Sequence, residues 1–352
     1  MHALTIQGRR IGDNAPCFII AEAGSNHDRN FEQALQLIDA AKESGADVVK
    51  FQVFSADTMA AATQDPTVDL GSDTFGRYGK TLHELYRKVE LPREWLPRLT
   101  EYAKQRDIMF AATPFDEDAV DALEAIDAPF YKIASYEITH LPLIRYTAQT
   151  GKPLILSTGM ATIEEIRDAV EAVEQTGNTQ YALLHCGVGY PPPMNDLHLA
   201  AMDVMREQFM CPIGYSDHTI GLTIPIAAVA RGASIYEKHF TLDRNLPGPD
   251  HKFALEPAEL AAMVRGIRDV EQAIGRPQKC VAESELTYYR RGRRSIFTNR
   301  AIKKGDIIKR EMLSIVRPAL GLLPKDLDRV IGKRARVNME AFDPVTTDTF
   351  DA

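Results

Sequence analysis

The sequence predicts an α/β fold: a (β/α)8 TIM barrel over residues 1–275 and a small β-rich C-terminal domain over 294–352, joined by a linker at 276–293. Three observations carry this expectation. One unit, a short apolar run that ends in polar residues and is followed by an amphipathic segment, recurs eight times between residues 17 and 275. Eight strand-helix units over roughly 260 residues match a barrel in number and length. After Gly275 the pattern stops and the charge balance reverses.

The apolar runs, in order, are CFIIAEAG, DVVKFQVF, IMFAATPFD, FYKIASYE, PLILSTGM, YALLHCG, CPIGYSDH and SIYEKHF. The segments between them, such as FEQALQLIDAAKESGA (31–46) and ATIEEIRDAVEAVEQTGN (161–178), space apolar residues at three and four and close on Gly or Asn, as helices do. An open doubly wound sheet is the alternative, although no GxGxxG follows the first run.

On a barrel, catalytic groups come from the carboxyl ends of the strands, and polar residues gather there. Glu22 ends the first run, Lys50 and Gln52 the second, Thr113 the third, and Lys132, Ser135 and Glu137 the fourth. Ser157 and Thr158 follow on the fifth, His185 on the sixth, Ser216, Asp217 and His218 on the seventh, and Glu237, Lys238 and His239 on the eighth. Strand alternation puts Lys50 and Gln52 on one side and turns Val49, Phe51 and Val53 toward the helices. In the tail, SIFTNRAIKKGDIIKREMLSIVRP has two β-like stretches around a Lys-Lys-Gly-Asp turn. So small a module is marginal alone and should dock on something.

Hydrophobic content of 45% and charged content of 26% are ordinary for a soluble globular protein, and no run approaches a membrane span. The first ten residues, MHALTIQGRR, lack the apolar core of a secretory signal. Cys17, Cys186, Cys211 and Cys280 show no zinc-ligand spacing and suggest a reduced compartment, so a cytoplasmic protein is expected. The net charge of -8 hides an asymmetry: residues 276–352 carry 17 Lys and Arg against 10 Asp and Glu, and residues 1–275 carry 24 against 39. The basic charges are dispersed among apolar residues without an aromatic stacking pattern, which argues against nucleic acid and for contact with an acidic surface or an anionic ligand.

Several of these stretches carry a resemblance. AEAGSNH (21–27), GADVVKFQ (45–52), ATPFD (112–116), KIASYEIT (132–139), LSTGMAT (156–162), GYSDHT (214–219), EKHFTLD (237–243) and PGPDHKFALEP (247–257) resemble the N-acetylneuraminate (sialic acid) synthase family, with its legionaminic and pseudaminic acid relatives. Residues 294–352 resemble that family's antifreeze-like SAF domain. The resemblance implies an enzyme that condenses phosphoenolpyruvate with an open-chain N-acetylated hexosamine, giving a nonulosonic acid and phosphate. It also implies a domain-swapped homodimer in which Arg317 reaches the partner's sugar site. No nucleic acid or membrane partner is implied.

The same resemblance assigns roles. His218 and His239, on adjacent strands about 4.8 Å apart, would share one divalent cation and leave positions open, which suits Mn²⁺, with Mg²⁺ or Co²⁺ as substitutes. Lys50, Thr113, Lys132, Ser135 and Ser216 match positions that hold phosphoenolpyruvate, a small anion needing cations and compact donors. Gln52, Tyr190, Asp250 and Arg317 match sugar-side positions. Glu22 is the candidate to stabilise the developing cation or activate water, and Glu137 is expected near the sugar or paired with Lys50. Three positions depart from the family: Val188 stands for an asparagine, Ala319 for the glycine of an RPG segment, where alanine would resist positive φ, and Arg77 near a substrate-facing asparagine. PGPDH is closer to the sialic and legionaminic branches than to the pseudaminic branch. A Schiff-base pyruvate aldolase using Lys50 or Lys132, and a non-enzymatic carbohydrate-binding protein, are the competing readings.

Overall fold

The structure, a computed structural model, describes residues 4–12, 14–63, 65, 70 and 76–351, without the side chain of Arg77. The chain divides into two compact units, residues 1–275 and 276–352.

In the first unit an antiparallel hairpin, β1 (Leu4–Ile6) and β2 (Arg9–Ile11), precedes the barrel. The barrel strands are β3 (Phe18–Gly24), β4 (Val48–Val53), β5 (Met109–Pro114), β6 (Tyr131–Ile133), β7 (Leu154–Ser157), β8 (Tyr181–Cys186), β9 (Ile213–Asp217) and β10 (Ile235–His239). Each pairs in parallel with the next, and β10 closes on β3. Helices return the chain between strands. Phe31–Glu43 is started by the Asn30 side chain, which accepts from the Glu32 and Gln33 amides, and Ile163–Glu174 by a Thr162–Glu165 capping box.

The barrel interior is graded from apolar to polar along the strands. Its lower half is packed by Phe18, Ile20, Val48, Ile155, Leu184 and Ile235, and Leu4, Ile6 and Ile11 of the hairpin join the same cluster, so the hairpin plugs the bottom. Two residues further along each strand the inward positions become Glu22, Lys50, Ser157, Cys186 and Glu237, with Thr113 level with them on β5. Gly214 is required in this packed interior: a Cβ there would stand 2.3 Å from the Ile235 carbonyl oxygen and 2.6 Å from Leu184 Cδ2. The outward residues Val49, Phe51 and Val53 pack with Leu37, Ile38 and Leu99 of the helices, where each fully buried aliphatic side chain contributes roughly 1.5–3 kcal/mol.

Two sequence expectations change here. His185 lies on the outward side of β8, with Nε2 2.7 Å from the Leu197 carbonyl oxygen, and Asp217 and Lys238 also turn outward, pairing with each other at 2.6 Å. On β6 the strand ends at Ile133, and Ser135–Glu137 forms a 3₁₀ turn instead of continuing it.

The second unit pairs β11 (Ser295–Thr298) antiparallel with β12 (Leu313–Val316), opposing Ile296 and Ile315. Ile296, Ile308, Leu313, Val330, Val345 and Phe350 form its core. The segment read as a linker contains a short helix, Leu286–Gly292. Lys303–Asp306 makes the expected turn, with Gly305 at φ +94°. Ala319 is not at positive φ, so its replacement of glycine introduces no backbone strain.

Candidate active site

The carboxyl ends of the strands open into a cavity of about 200 Å³. Glu22, Lys50, Gln52 and Thr113 line it from β3 to β5, and Lys132 and Ser135 from β6 and its turn. Ser216, His218, Glu237 and His239 line it from β9 and β10, with Tyr190 and Asp250 from the following loops. Glu137 is not among the lining residues, and Arg317 is exposed after β12 on the second unit.

Alternating charges cross the floor. Lys50 Nζ lies 2.7 Å from Glu22 Oε2 and 3.8 Å from Glu237 Oε1, and donates to Thr113 Oγ1 at 2.8 Å. Lys132 Nζ lies 3.1 Å from Glu237 Oε1, and Gln52 Nε2 donates to Glu22 Oε1 at 2.7 Å. Lys50 therefore pairs with Glu22 and Glu237, not with Glu137 as one expectation had it. Spacing explains this, because Glu237 and Lys50 are interior strand positions whereas Glu137 sits in a turn beyond β6.

Burial pushes the Glu22 carboxyl up to about 7, with Lys50 opposing and Glu237 reinforcing the rise. Glu137 is also pushed to about 7 by burial, against the pull of Lys132, and its Oε2 has no hydrogen-bond partner. For Glu237 burial favours the neutral acid, but Lys132 and Lys50 overcome it and hold the carboxyl below its usual range. Burial likewise works against the Lys132 ammonium, and Glu237 and Glu22 reverse that, raising it. Lys132 is thus held as a cation beside the Glu237 carboxylate.

The two histidines are arranged differently. His218 and His239 have ring centroids 5.3 Å apart. Burial lowers His218, and its Nδ1 faces the Gly187 carbonyl oxygen at 3.1 Å, an acceptor, so the proton sits on Nδ1 and Nε2 keeps its lone pair. His239 is driven well below its usual range by burial and by His218, and its buried Nδ1 has no hydrogen-bond partner. Both imidazoles are neutral, and His239 offers an unused nitrogen. Asp250 Oδ2 and His239 Nδ1 crowd Gly24, whose Cβ would stand 3.0 and 3.3 Å from them; Gly24 is at φ +52°. Among the described residues no set of three His, Cys, Asp or Glu side chains closes a metal site by itself.

Two features of the cavity escape sequence reasoning. Glu237 is the residue that bridges both lysines; its signal was present, two positions before His239 and hence on the same face of β10. An apolar wall of Phe54, Leu82, Leu85, Tyr86, Val89 and Phe115 flanks the polar floor, and apart from Phe115 it comes from positions outside the quoted motifs. Val188 also lines the cavity, against Gly159 and Ser135.

A closed eight-stranded barrel with paired carboxylates, ammonium groups and neutral imidazoles at its carboxyl end defines a barrel enzyme built for a small anionic substrate. The chain belongs to the NeuB family, whose profile matches residues 37–279, and a SAF domain matches residues 293–351. It is 40% identical to the N,N'-diacetyllegionaminic acid synthase of Legionella pneumophila over 94% of this chain and 93% of that one. It is 35% identical to the pseudaminic acid synthase of Helicobacter pylori over 96% of this chain and 98% of that one. Among solved structures, the N-acetylneuraminic acid synthetase of Leptospira borgpetersenii, in complex with citrate, matches with a TM-score of 0.73 at 33% identity, covering 82% of this chain and 95% of that one.

Proposed function

We infer that the protein is a nonulosonic acid synthase, a transferase that joins phosphoenolpyruvate to the aldehyde of an open-chain N-acetylated hexosamine. The observation that carries this reading is the single cavity in which two lysine ammonium groups and two neutral histidines converge. The phosphate and carboxylate of phosphoenolpyruvate are held by Lys50 and Lys132 with the hydroxyls of Thr113, Ser135 and Ser216. Gln52, Tyr190 and Asp250 orient the sugar. The apolar wall suits acyl methyl groups better than hydroxyls, which would lose water there without gaining a partner.

The enol carbon forms the new bond to the aldehyde carbon, whose oxygen takes up a proton. Cationic character develops at C2 of the former enolpyruvate and is met by water. Glu22, poised near neutrality and beside Lys50, stabilises that charge and takes the proton of the water. The resulting hemiketal phosphate loses inorganic phosphate by C–O cleavage, leaving the keto acid. Glu137, also near neutrality, sits in the turn beyond Ser135 and is the second group able to hold a proton behind the cavity wall.

His218 and His239 fit a divalent cation: both are neutral, and the buried His239 Nδ1 has no other partner. Mn²⁺ is the first choice and Mg²⁺ or Co²⁺ substitutes, and when bound such an ion supplies Lewis-acid polarisation of the aldehyde. The Schiff-base alternative needs a neutral amine, whereas Lys132 is raised and ion-paired.

The functional unit is a domain-swapped homodimer in which the partner subunit's Arg317 completes the sugar site. Supporting this, Tyr136, Met160, Met194 and Ile220 stand exposed on loops following β6 to β9, an apolar rim around the mouth. Among the described residues no helix is long and apolar enough to cross a membrane. A cytoplasmic setting is in keeping with the substrate and the four free cysteines. The test is incubation of purified protein with phosphoenolpyruvate, Mn²⁺ and, in turn, N-acetylmannosamine and 2,4-diacetamido hexoses, following phosphate and product mass. Release with one sugar is expected, and no release with any refutes the reading.

A further inference from the structure

The loops after β3 and β10 are joined by a buried polar chain for which the chemistry above has no use. His251 is 0% exposed. Its Nε2 lies 3.0 and 3.1 Å from the two Asp28 carboxylate oxygens, and its Nδ1 lies 2.6 Å from Thr241 Oγ1. Gln33 Nε2 donates to Asp28 Oδ2 at 2.8 Å from the next helix, and Asp28 itself sits at φ +49°. The neighbours of His251 face the cavity. Asp250 lines it, and Phe253 packs on the His239 ring at 5.1 Å and the Tyr190 ring at 5.3 Å.

The β3 loop therefore grips this segment twice. Ser25 Oγ donates to Asp250 Oδ2 at 3.0 Å, and three residues on, Asp28 holds His251. The approach is close enough to exclude any side chain at Gly248, whose Cβ would stand 2.4 Å from Asp28 Oδ1 and 2.7 Å from His251 Nε2. Ser25 alone, through its hydroxyl and, at 3.4 Å, its backbone amide, holds one oxygen of the Asp250 carboxylate and leaves the group able to turn about it. A second anchor one residue away, on a ring buried between two loops, removes that freedom before substrate arrives.

We propose that His251 is a positioning residue: with Asp28 it staples the β10 loop to the β3 loop and so holds Asp250 in register for the hexosamine. This rests on the synthase reading for the identity of the ligand. The lysines assigned to phosphoenolpyruvate pair with Glu22, Glu237 and Thr113 and with no residue of the staple, so breaking it is expected to act chiefly on the sugar side.

Two variants break the staple, Asp28→Gly, which tolerates the positive φ, and His251→Ala; a third, Asp28→Asn, keeps an oxygen facing Nε2. The breaking variants are expected to raise the hexosamine KM roughly tenfold to a hundredfold while the phosphoenolpyruvate KM and Mn²⁺ affinity stay within about twofold, with Asp28→Asn recovering most of the loss. A folded Asp28→Gly protein with unchanged hexosamine KM, or with both KM values raised together, overturns the proposal. Amide hydrogen exchange decides it without turnover. Exchange across residues 244–253 is expected to quicken in Asp28→Gly with the barrel strands unchanged, and unaltered exchange there overturns the staple even if no hexosamine proves to be a substrate.

Discussion

Replacing Glu22 with Gln separates the function of this carboxylate from its effect on stability. Glu22 is 1% exposed, and burial lifts its pKa from 4.5 to about 7. The folded chain thus holds that proton more tightly than the unfolded chain does. The resulting stability is complete below pH 4.5 and is lost as the pH rises through about 7. Raising a buried carboxyl by this much makes its ionisation in the fold about 3 kcal/mol harder. Glutamine keeps the shape and an oxygen for Gln52 Nε2, cannot ionise, and leaves Lys50 with Glu237 at 3.8 Å. Relative to wild type, Glu22→Gln should gain roughly 2–3 kcal/mol of stability between pH 5 and pH 8, while kcat falls by about 10²–10⁴. Urea denaturation at pH 5, 6, 7 and 8, alongside phosphate release at pH 7.5, measures both. A stability difference that does not change with pH, or a kcat within about tenfold of wild type, would refute the assigned protonation and role of Glu22.

Other sites give shorter tests. His239→Ala should abolish activity and Mn²⁺ binding by calorimetry while the melting temperature stays near wild type; retained Mn²⁺ affinity would remove His239 from the metal site. Mixing Arg317→Ala protein with Glu22→Gln protein should restore part of the activity, because a swapped dimer pairs one intact barrel with one intact Arg317, and no recovery would count against the swap. Gly214→Ala should destabilise the barrel by several kcal/mol in denaturant, since the Ile235 carbonyl oxygen, 2.3 Å from the new Cβ, belongs to the backbone and cannot turn aside.

The eight strands were legible because interior parallel strands are nearly continuous apolar runs, and each ends in the polar groups that the barrel mouth requires. Less legible was which polar residue of each run faces inward. Ser216, Asp217 and His218 read alike, yet only Ser216 and His218 line the cavity, while Asp217 is buried outward against Lys238 and Tyr236. Alternation counted back from His218 would have separated them, and counted back from His239 it would have added Glu237 to the site. The hairpin plug stayed hidden because its strands are three residues long and the stretch contains four polar or charged positions, Gln7, Arg9, Arg10 and Thr5. The apolar wall was invisible for a different reason, because Phe54, Leu82 and Phe115 come from separate segments that only the closed barrel brings together. The side chain of Arg77 lies outside the described residues, so its position near the sugar is not part of this picture.

The most direct measurement uses phosphoenolpyruvate carrying ¹⁸O in the bridging C–O–P oxygen, incubated with the protein, Mn²⁺ and an N-acetylated hexosamine. One phosphate per nine-carbon acid is expected, released only when the sugar is present and with the label in the phosphate. Phosphate release independent of the sugar, or label retained in the acid, would contradict condensation with C–O cleavage in this barrel.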